Sequence, residues 1–550
     1  MKWIKIILLV TIIMSVFTTE VNAQQVPKWA QDQLQLRDII KESIQETQKW
    51  QNSDGALYPY LNLYKWDDEV EIFYFWLAYY FLTGDESVYE SVKGIAQTYI
   101  RRAELDNQFD HGYYRDAFFD TEHTLEGMII LASLAWARPD DEEIVNALVD
   151  VVEHAANLVP DYRIWYVEDT NLMRSVRLGT QKVEKNKSSA VDWVFNLQFV
   201  KMALAAYHAN GDDRLLNWSK NYLDGWIKVM NDNEKENGYY LLPSSVDPYT
   251  GQIGPYSGVW WQANFEPGWG WPEKGNNANR DMRGAFLGCY KLTGEKRFLT
   301  ALKKHVQTLF DNGTSFQPAH YFDGETWHVD DDKVTVNMAA GVSLMDENIE
   351  AEFDDFMWSW YDYLRYPYPE QHFWAFQKSG GLSKIDAINY RSIDNAQKRL
   401  NDIKAVTSLP AEPDDFPTIG GYWGITLVPF GGVSAQRGEM PWQEVVYYKA
   451  DKSLGLYNGV AALFESKNDS SKSVYLCNTT DKSLDMWIQS GYTADPIKCL
   501  FVDGQIQRTV EGSKAKFRLP AHHTMHVQII NQAFDDEPPA PVQMLSVFGK

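Results

Sequence analysis

The segment His111-Gly112-Tyr113-Tyr114-Arg115-Asp116 runs shortly before Thr121-Glu122-His123-Thr124-Leu125-Glu126. Histidines, tyrosines, an arginine and several carboxylates therefore fall in one loop and the first turn of a helix. Imidazole and phenol groups can exchange protons with a substrate, and a neighbouring guanidinium neutralises a substrate carboxylate. This is the set that β-elimination of a uronate needs. One group removes the C5 proton, another protonates the leaving oxygen, and a cation makes the carbanion-like state accessible. His123 and Tyr114 are the candidate proton-transfer residues, with Arg115 as substrate ligand. His123 and Glu126 share a helical face. A capped helix start with a solvated histidine is the plainer reading of the same residues.

Two further stretches supply binding chemistry. Pro160 to Ser188 carries six basic residues (Arg163, Arg174, Arg177, Lys182, Lys185, Lys187) against four acidic ones, a local balance of +2 in a chain of net charge -24. A positive rim on an acidic protein suits an anionic ligand. Arg174 and Arg177 are the stronger candidates, because a guanidinium binds carboxylate or sulfate in bidentate geometry. A solvated loop explains the lysines equally well. The second stretch holds Trp260, Trp261, Trp269 and Trp271 among Gly and Pro, then Asn276-Asn277-Ala278-Asn279-Arg280-Asp281. Such a loop can stack a sugar ring, with Asn264 and Arg280 as polar handles and Asn264 placed to bond a carboxylate. Asn279 is a candidate N-cap for a helix beginning near Asp281.

Carboxylates at Asp192, Glu266, Glu273, Asp281 and the Glu352-Asp354-Asp355 cluster keep a two-carboxylate hydrolase in view. No His-Glu-x-x-His motif or paired-Cys spacing is present. Asp330-Asp331-Asp332 is more simply an acidic turn than a calcium loop. The expectation is no metal and no cofactor.

These segments need a scaffold, and a recurring turn supplies it. Phe81-Leu82-Thr83-Gly84-Asp85, Ala137-Arg138-Pro139-Asp140-Asp141, Ala209-Asn210-Gly211-Asp212 and Leu292-Thr293-Gly294-Glu295 share one pattern. Gly or Pro stops a helix, and an acidic residue opens the next where the helix dipole favours it. Apolar periodicity predicts helices near 36–51, 67–83, 86–103, 121–137, 141–157, 189–210, 213–230, 278–293, 295–311, 349–366 and 389–406. They form antiparallel hairpins with tight turns at one end and long polar, aromatic loops at the other. The turns are too irregularly spaced for a solenoid. Pro410, Pro413 and Pro417 mark a linker at 410–419. From 420 to 534 the pattern is β, with runs at Tyr422 to Val428, Val460 to Phe464, Ser473 to Cys477 and Thr524 to Ile530. The tail 535–550, with Pro538-Pro539-Ala540-Pro541, has the composition of disorder.

Residues 1–23 have the form of a secretory signal: Lys2 and Lys5, an apolar stretch from Ile6 to Val16, and Val21-Asn22-Ala23 before Gln24. The mature chain is expected to be secreted or periplasmic, with no transmembrane segment. With 51 basic and 75 acidic residues, nucleic acid is a poor partner. The three cysteines provide no disulfide framework; Cys477 and Cys499 could pair or remain thiols.

A signal peptide, a ring of α-hairpins at 24–409, an aromatic rim and a C-terminal β module resemble the (α/α)-toroid carbohydrate-active enzymes. The likeness is greatest to secreted polysaccharide lyases and the related uronyl hydrolases. The resemblance implies a mainly α toroid followed by a small antiparallel β-sandwich, and an anionic polysaccharide as substrate. An ulvan-type algal polymer is the candidate that the acidic, exported character suggests. The expected function is uronate polymer cleavage by β-elimination. A glycoside hydrolase on the same toroid and a non-catalytic glycan-binding protein are the alternatives. The oligomeric state is left open.

Overall fold

A computed structural model describes residues 26–58, 66–105, 109–115, 121–160, 165–174, 179–180, 190–238, 240, 242–243, 245–252, 275–312, 320–322, 327–329, 382–420, 427, 437–441, 443–468, 471–507 and 510–531. Eleven helices lie among the described residues: α1 (Lys28–Gln48), α2 (Trp66–Glu71), α3 (Trp76–Thr83), α4 (Glu86–Leu105), α5 (Thr121–Ala137), α6 (Glu142–Ala155), α7 (Gln198–Asn210), α8 (Asp213–Asn237), α9 (Gly275–Thr293), α10 (Lys296–Asn312) and α11 (Leu382–Ala405). Helices α2, α5, α7 and α9 pack side by side in succession. Helices α4, α6, α8 and α10 each follow the preceding helix through a tight turn. The division follows from composition. Every residue of α3 is buried and α7 is nearly so, whereas α6 buries one face, Ile144, Val145, Leu148, Val151 and Val152.

The tight turns form as their residues dictate. Gly84, Gly211 and Gly294 take left-handed φ of 62°, 72° and 70° and close α3, α7 and α9. Asp141 and Asp212 cap α6 and α8 by accepting from the backbone N–H of Ile144 and Arg214.

Several boundaries differ from the sequence expectation. Helix α1 starts after Pro27 rather than near residue 36, burying Trp29, Ala30 and Gln33. The helix expected over 67–83 is interrupted at 72–75, where Phe73 N–H bonds Val70 and Trp76 N–H bonds Phe73 in tight i to i−3 steps. The helix expected from 189 begins only at Gln198, after a 3-10 turn at Val194–Leu197, because Asp192–Trp193 pairs as a strand with Ser245–Val246. Helix α9 starts at Gly275, so Asn279 lies inside it and is not its N-cap. The expected helix at 349–366 lies outside the described residues, as do the signal segment, the tail and all but Leu427 of the strand run at 422–428.

Short hairpins decorate the loop end: β1 (Phe109–Asp110) with β2 (Tyr113–Tyr114), β3 (Tyr166–Val167) with β4 (Leu172–Met173), β5 (Asp192–Trp193) with β6 (Ser245–Val246), and β7 (His320–Phe322) with β8 (Trp327–Val329). The C-terminal module is two antiparallel sheets formed by β9 (Val445–Lys449), β10 (Val460–Asn468), β11 (Ser471–Asn478), β12 (Leu484–Ser490), β13 (Ile497–Val502), β14 (Gln505–Gln507), β15 (Val510–Glu511), β16 (Lys514–Leu519) and β17 (His523–Asn531). Their orders are β10-β11-β17-β13-β14 and β15-β16-β12-β9. Cys477 and Cys499 are both thiols. They sit on opposite sides of β17, against Thr524 and Ile530, six residues apart along it. At roughly 3.3 Å per residue and 4.8 Å per strand this separation is far beyond disulfide reach.

The β module docks on the tight-turn end of the helices. Leu456 N–H bonds Leu82 C=O at 2.9 Å, and Tyr492 Oη donates to Trp136 C=O at 2.5 Å. A Cβ on Gly84 would stand 1.9 Å from the Leu454 carbonyl oxygen, so only glycine admits this approach. Residues 410–419 are themselves fixed, packed on α2 and the residues that follow it: Phe416 and Ile419 are buried, and Thr418 Oγ1 donates to Ile72 C=O at 3.1 Å. Just ahead of the module, Gly438 crosses α5, donating to Ser133 Oγ at 2.8 Å and accepting from Trp136 Nε1 at 3.1 Å. Its neighbours Arg437 and Glu439 enter the helical core. Arg437 pairs with Glu71, and Glu439 receives Arg283 of α9 at 2.8 Å. With its turn end covered in this way, the helical part presents its short loop hairpins at the opposite end.

Candidate functional site

The loop end is a connected network. Arg115 donates through Nε and Nη2 to Asp110 at 3.0 and 2.9 Å, closing the β1–β2 hairpin on itself. Thr180 Oγ1 adds a third bond to Asp110 at 3.0 Å. Burial works against the Asp110 charge, yet Arg115 and Thr180 hold its carboxyl below the usual range. One residue before Thr180, Gly179 C=O accepts from Trp165 Nε1 at 3.0 Å, which joins this hairpin to the β3–β4 hairpin.

Asp192 ties the next part together. Its carboxylate accepts from Met173 N–H at 2.8 Å, Asn196 Nδ2 at 2.8 Å and Tyr222 Oη at 3.0 Å. Strand β4, the 3-10 turn and α8 thus meet at one fully buried side chain. Burial raises its pKa to about 7 although the three donors oppose the rise. The adjacent Trp193 donates from Nε1 to Thr121 Oγ1 at 2.5 Å, so the network reaches the first residue of α5.

Arg174 directly follows β4. Its guanidinium lies 5.8 Å from the ring centroid of Tyr249, which is 60% exposed. Arg174 Nε is buried and makes no hydrogen bond, and the side chain has no carboxylate partner among the described residues. A cation over an exposed aromatic ring is a pair that can meet an anionic sugar.

A second titratable group lies on the same rim. His111, at the hairpin tip with φ 54°, stacks on His154 of α6 at 3.6 Å between centroids. His111 Nδ1 is 2.9 Å from Asp150 Oδ1, and His154 Nδ1 is 2.7 Å from the Asp150 backbone carbonyl oxygen. Sequence reasoning placed His111 in the rich loop but passed over its partners. The legible signal was Asp150 and His154 four apart on one helical face.

The other expected residues distribute as follows. Tyr114 lies on β2 opposite Phe109, and His123 lies in the first turns of α5, so both backbones are at this rim. Their side chains, and that of Arg280 in α9, lie outside the described residues. So do Arg177, Trp260, Trp261 and Asn264 altogether. Among the hydrolase carboxylates, Asp192 is spent on the network above. Asp281 is fully buried and pairs with Lys201 Nζ of α7 at 2.7 Å. Glu266, Glu273, Glu352, Asp354, Asp355 and the Asp330 run lie outside the described residues.

Helical hairpins presenting loops at one end, with a β module on the other, define the class of this protein. The chain belongs to the family described as Domain of unknown function (DUF8034), which it matches over residues 16–180 and 159–405. No curated protein matches it. Among solved structures it is similar to an inactive variant of the α-1,6-mannanase GH76A of Salegentibacter sp. HEL1_6 in complex with α-1,6-mannotriose. There the identity is 14%, 60% of this chain and 86% of that one are covered, and the TM-score is 0.37. It is also similar to a D-mannose isomerase, at 13% identity over 61% of this chain and 88% of the other, TM-score 0.41. A third is the unsaturated glucuronyl hydrolase of Bacillus sp. GL1, at 16% identity, 59% and 81% coverage and TM-score 0.36. No helix among the described residues is long and apolar enough to cross a membrane.

Proposed function

We propose that this chain is an exported carbohydrate-active enzyme that cleaves an anionic, uronate-containing polysaccharide by β-elimination. Its scaffold is a helical toroid, and its cleft is the loop end. The observation that carries the reading is Arg174 over Tyr249. In a chain of net charge -24, this guanidinium has no carboxylate partner among the described residues and faces an exposed ring. The cation suits a carboxylate or sulfate, and the ring suits the face of the sugar that bears it.

The chemistry follows from that placement. A uronate held by Arg174, with Arg177 three residues further along the chain, has its carboxylate charge offset, which lowers the cost of removing the C5 proton. Tyr114 or His123, from the same rim, takes that proton. The other returns one to the departing glycosidic oxygen, leaving an unsaturated uronyl end. Asn264, Trp260, Trp261 and Arg280 are the remaining substrate ligands in this reading. Elimination is preferred over hydrolysis because a two-carboxylate hydrolase gives no role to the basic stretch 160–188; of its candidate carboxylates, the two that are described, Asp192 and Asp281, are enclosed in structural bonds. An ulvan-type polymer is the first substrate to try, and the reaction calls for no cofactor.

The test is incubation of the purified protein with a panel of uronate polymers. Elimination raises ultraviolet absorbance as the unsaturated product forms. New reducing ends without that rise would replace the proposal with a hydrolase. Tyr114→Phe and His123→Ala should each lower kcat by ~10² to 10⁴ with unchanged melting. Wild-type turnover in both would remove these residues from the chemistry.

A further inference from the structure

We propose that His111, Asp150 and His154 form a binding site for a divalent transition metal, Zn²⁺ foremost. One ligand atom from each of the three side chains lies within 4.8 Å of the other two. The site is assembled from two elements. Asp150 and His154 are one turn apart on a single face of α6. His111 is delivered by the tip of the β1–β2 hairpin, whose next residue, Gly112, packs against Val151 of that helix. A Cβ at Gly112 would come within 2.9 Å of Val151 Cγ2, so the hairpin sits as close to α6 as glycine allows.

Three features point to a metal rather than to a surface ion pair. The donor set, two imidazole nitrogens and one carboxylate oxygen, favours zinc, nickel or copper. Magnesium and calcium prefer all-oxygen sites. His154 is already held against the other two donors. Its Nδ1 is 2.7 Å from the Asp150 backbone carbonyl oxygen and 3.6 Å from Asp150 Oδ1, which fixes the ring beside the carboxylate. The cluster is also reachable, with His111 and Asp150 side chains 36% and 47% exposed above a His154 that is only 8% exposed. The stacked rings present faces to one another, so binding requires the exposed His111 ring to turn until both lone pairs converge. Three protein ligands leave the remaining positions to water or a substrate oxygen, the pattern of an open site. Occupancy would clamp the β1–β2 hairpin to α6 and so fix Asp110, Tyr114 and Arg115 on the rim. The sequence expectation was no metal site. The proposal is independent of the polysaccharide reading.

The experiment uses the full chain without a histidine tag, treated with chelator and then titrated with Zn²⁺ by calorimetry and with Co²⁺ by visible absorption. A single saturable Zn²⁺ site per chain is expected, with a Co²⁺ ligand-field band. The melting temperature should rise with Zn²⁺ concentration. His111→Gly, which suits the positive φ, and the near-isosteric Asp150→Asn should each weaken binding by about 100-fold or more, since even second-shell partners of a metal are worth 10–100-fold. The exposed histidines of the β module serve as the control, and His523→Ala with His526→Ala should leave affinity unchanged. The proposal is overturned by an absence of saturable binding. It is equally overturned if His111→Gly and Asp150→Asn bind as the wild type does, or if binding is lost only in the β-module variant.

Discussion

Replacing Asp192 with Asn should remove a titration that sets how the stability of the loop end depends on pH. Asp192 is fully buried, and its pKa moves from 3.8 to about 7 because burial disfavours the charge more than its three donors favour it. At about 1.4 kcal/mol per pH unit, that shift corresponds to a preference of about 4 kcal/mol for the neutral form. The sign follows from proton counting. Between about pH 4 and 7 the folded chain keeps a proton on Asp192 that the unfolded chain has released. Its contribution is therefore fully present below the ordinary aspartate pKa and is lost as pH rises through about 7. The substituted amide has nearly the same shape and no titration, so the difference between wild type and Asp192→Asn isolates this one group from the other acidic residues. Denaturant unfolding of both proteins between about pH 4.5 and 7.5 should show the wild-type advantage shrinking with pH, by up to about 4 kcal/mol. Parallel profiles would refute the reasoning, because they would mean that the bonds from Met173, Asn196 and Tyr222 keep Asp192 charged throughout.

Lys201→Met removes the cation paired with the buried Asp281 carboxylate between α7 and α9 and should cost about 3–5 kcal/mol in denaturant unfolding. The double variant Lys201→Met/Asp281→Leu should recover most of that loss, and an equal loss in both would show that packing, not charge, is at stake. Arg174→Ala with Arg177→Ala should raise KM for an anionic polymer and flatten its salt dependence, read from initial rates across ionic strength. An unchanged salt slope would take the two arginines out of substrate binding. Substrate oligosaccharide should quench intrinsic tryptophan fluorescence much less in Trp260→Ala/Trp261→Ala than in the wild type, and equal quenching would assign these rings to packing.

The hairpin scaffold was legible because its stops are local. A Gly that takes positive φ and an acidic cap three residues or fewer beyond it, as at Gly84 with Asp85 and Gly211 with Asp212, act within one turn of chain. Boundaries set by distant partners were not legible. The sequence 189–197 is apolar enough for a helix, but Asp192 is claimed by Met173 and Trp193 by Thr121. The core strands β10 and β11 carry continuous apolar runs and β17 an alternating one, and all three were found. The strands β12, β13 and β16 interrupt their apolar residues with charges and were missed, as was the short β9. In the site, Arg174 was chosen for its chemistry, and its want of a carboxylate partner among the described residues is a fact of packing. Arg115 was chosen the same way and is held by Asp110, only five residues back. His154 was overlooked because His111, which gives it meaning, comes from a different element.

The pairing of α1 with α11 orders events in the life of the chain. The first helix lies along the last, with Glu42 bonded to Lys404 at 2.5 Å. From the same first helix the buried Arg37 reaches the Val460 carbonyl at 2.6 Å. These contacts join residues separated by 362 and 423 positions. The first described helix therefore lacks its main helical neighbour until nearly all of the polypeptide has been made, although Gln48 meets Ser91 much earlier. Long loops of this kind close late and slow the acquisition of structure. Under the export proposed above, such delay is an advantage, because an incomplete chain stays open enough to pass.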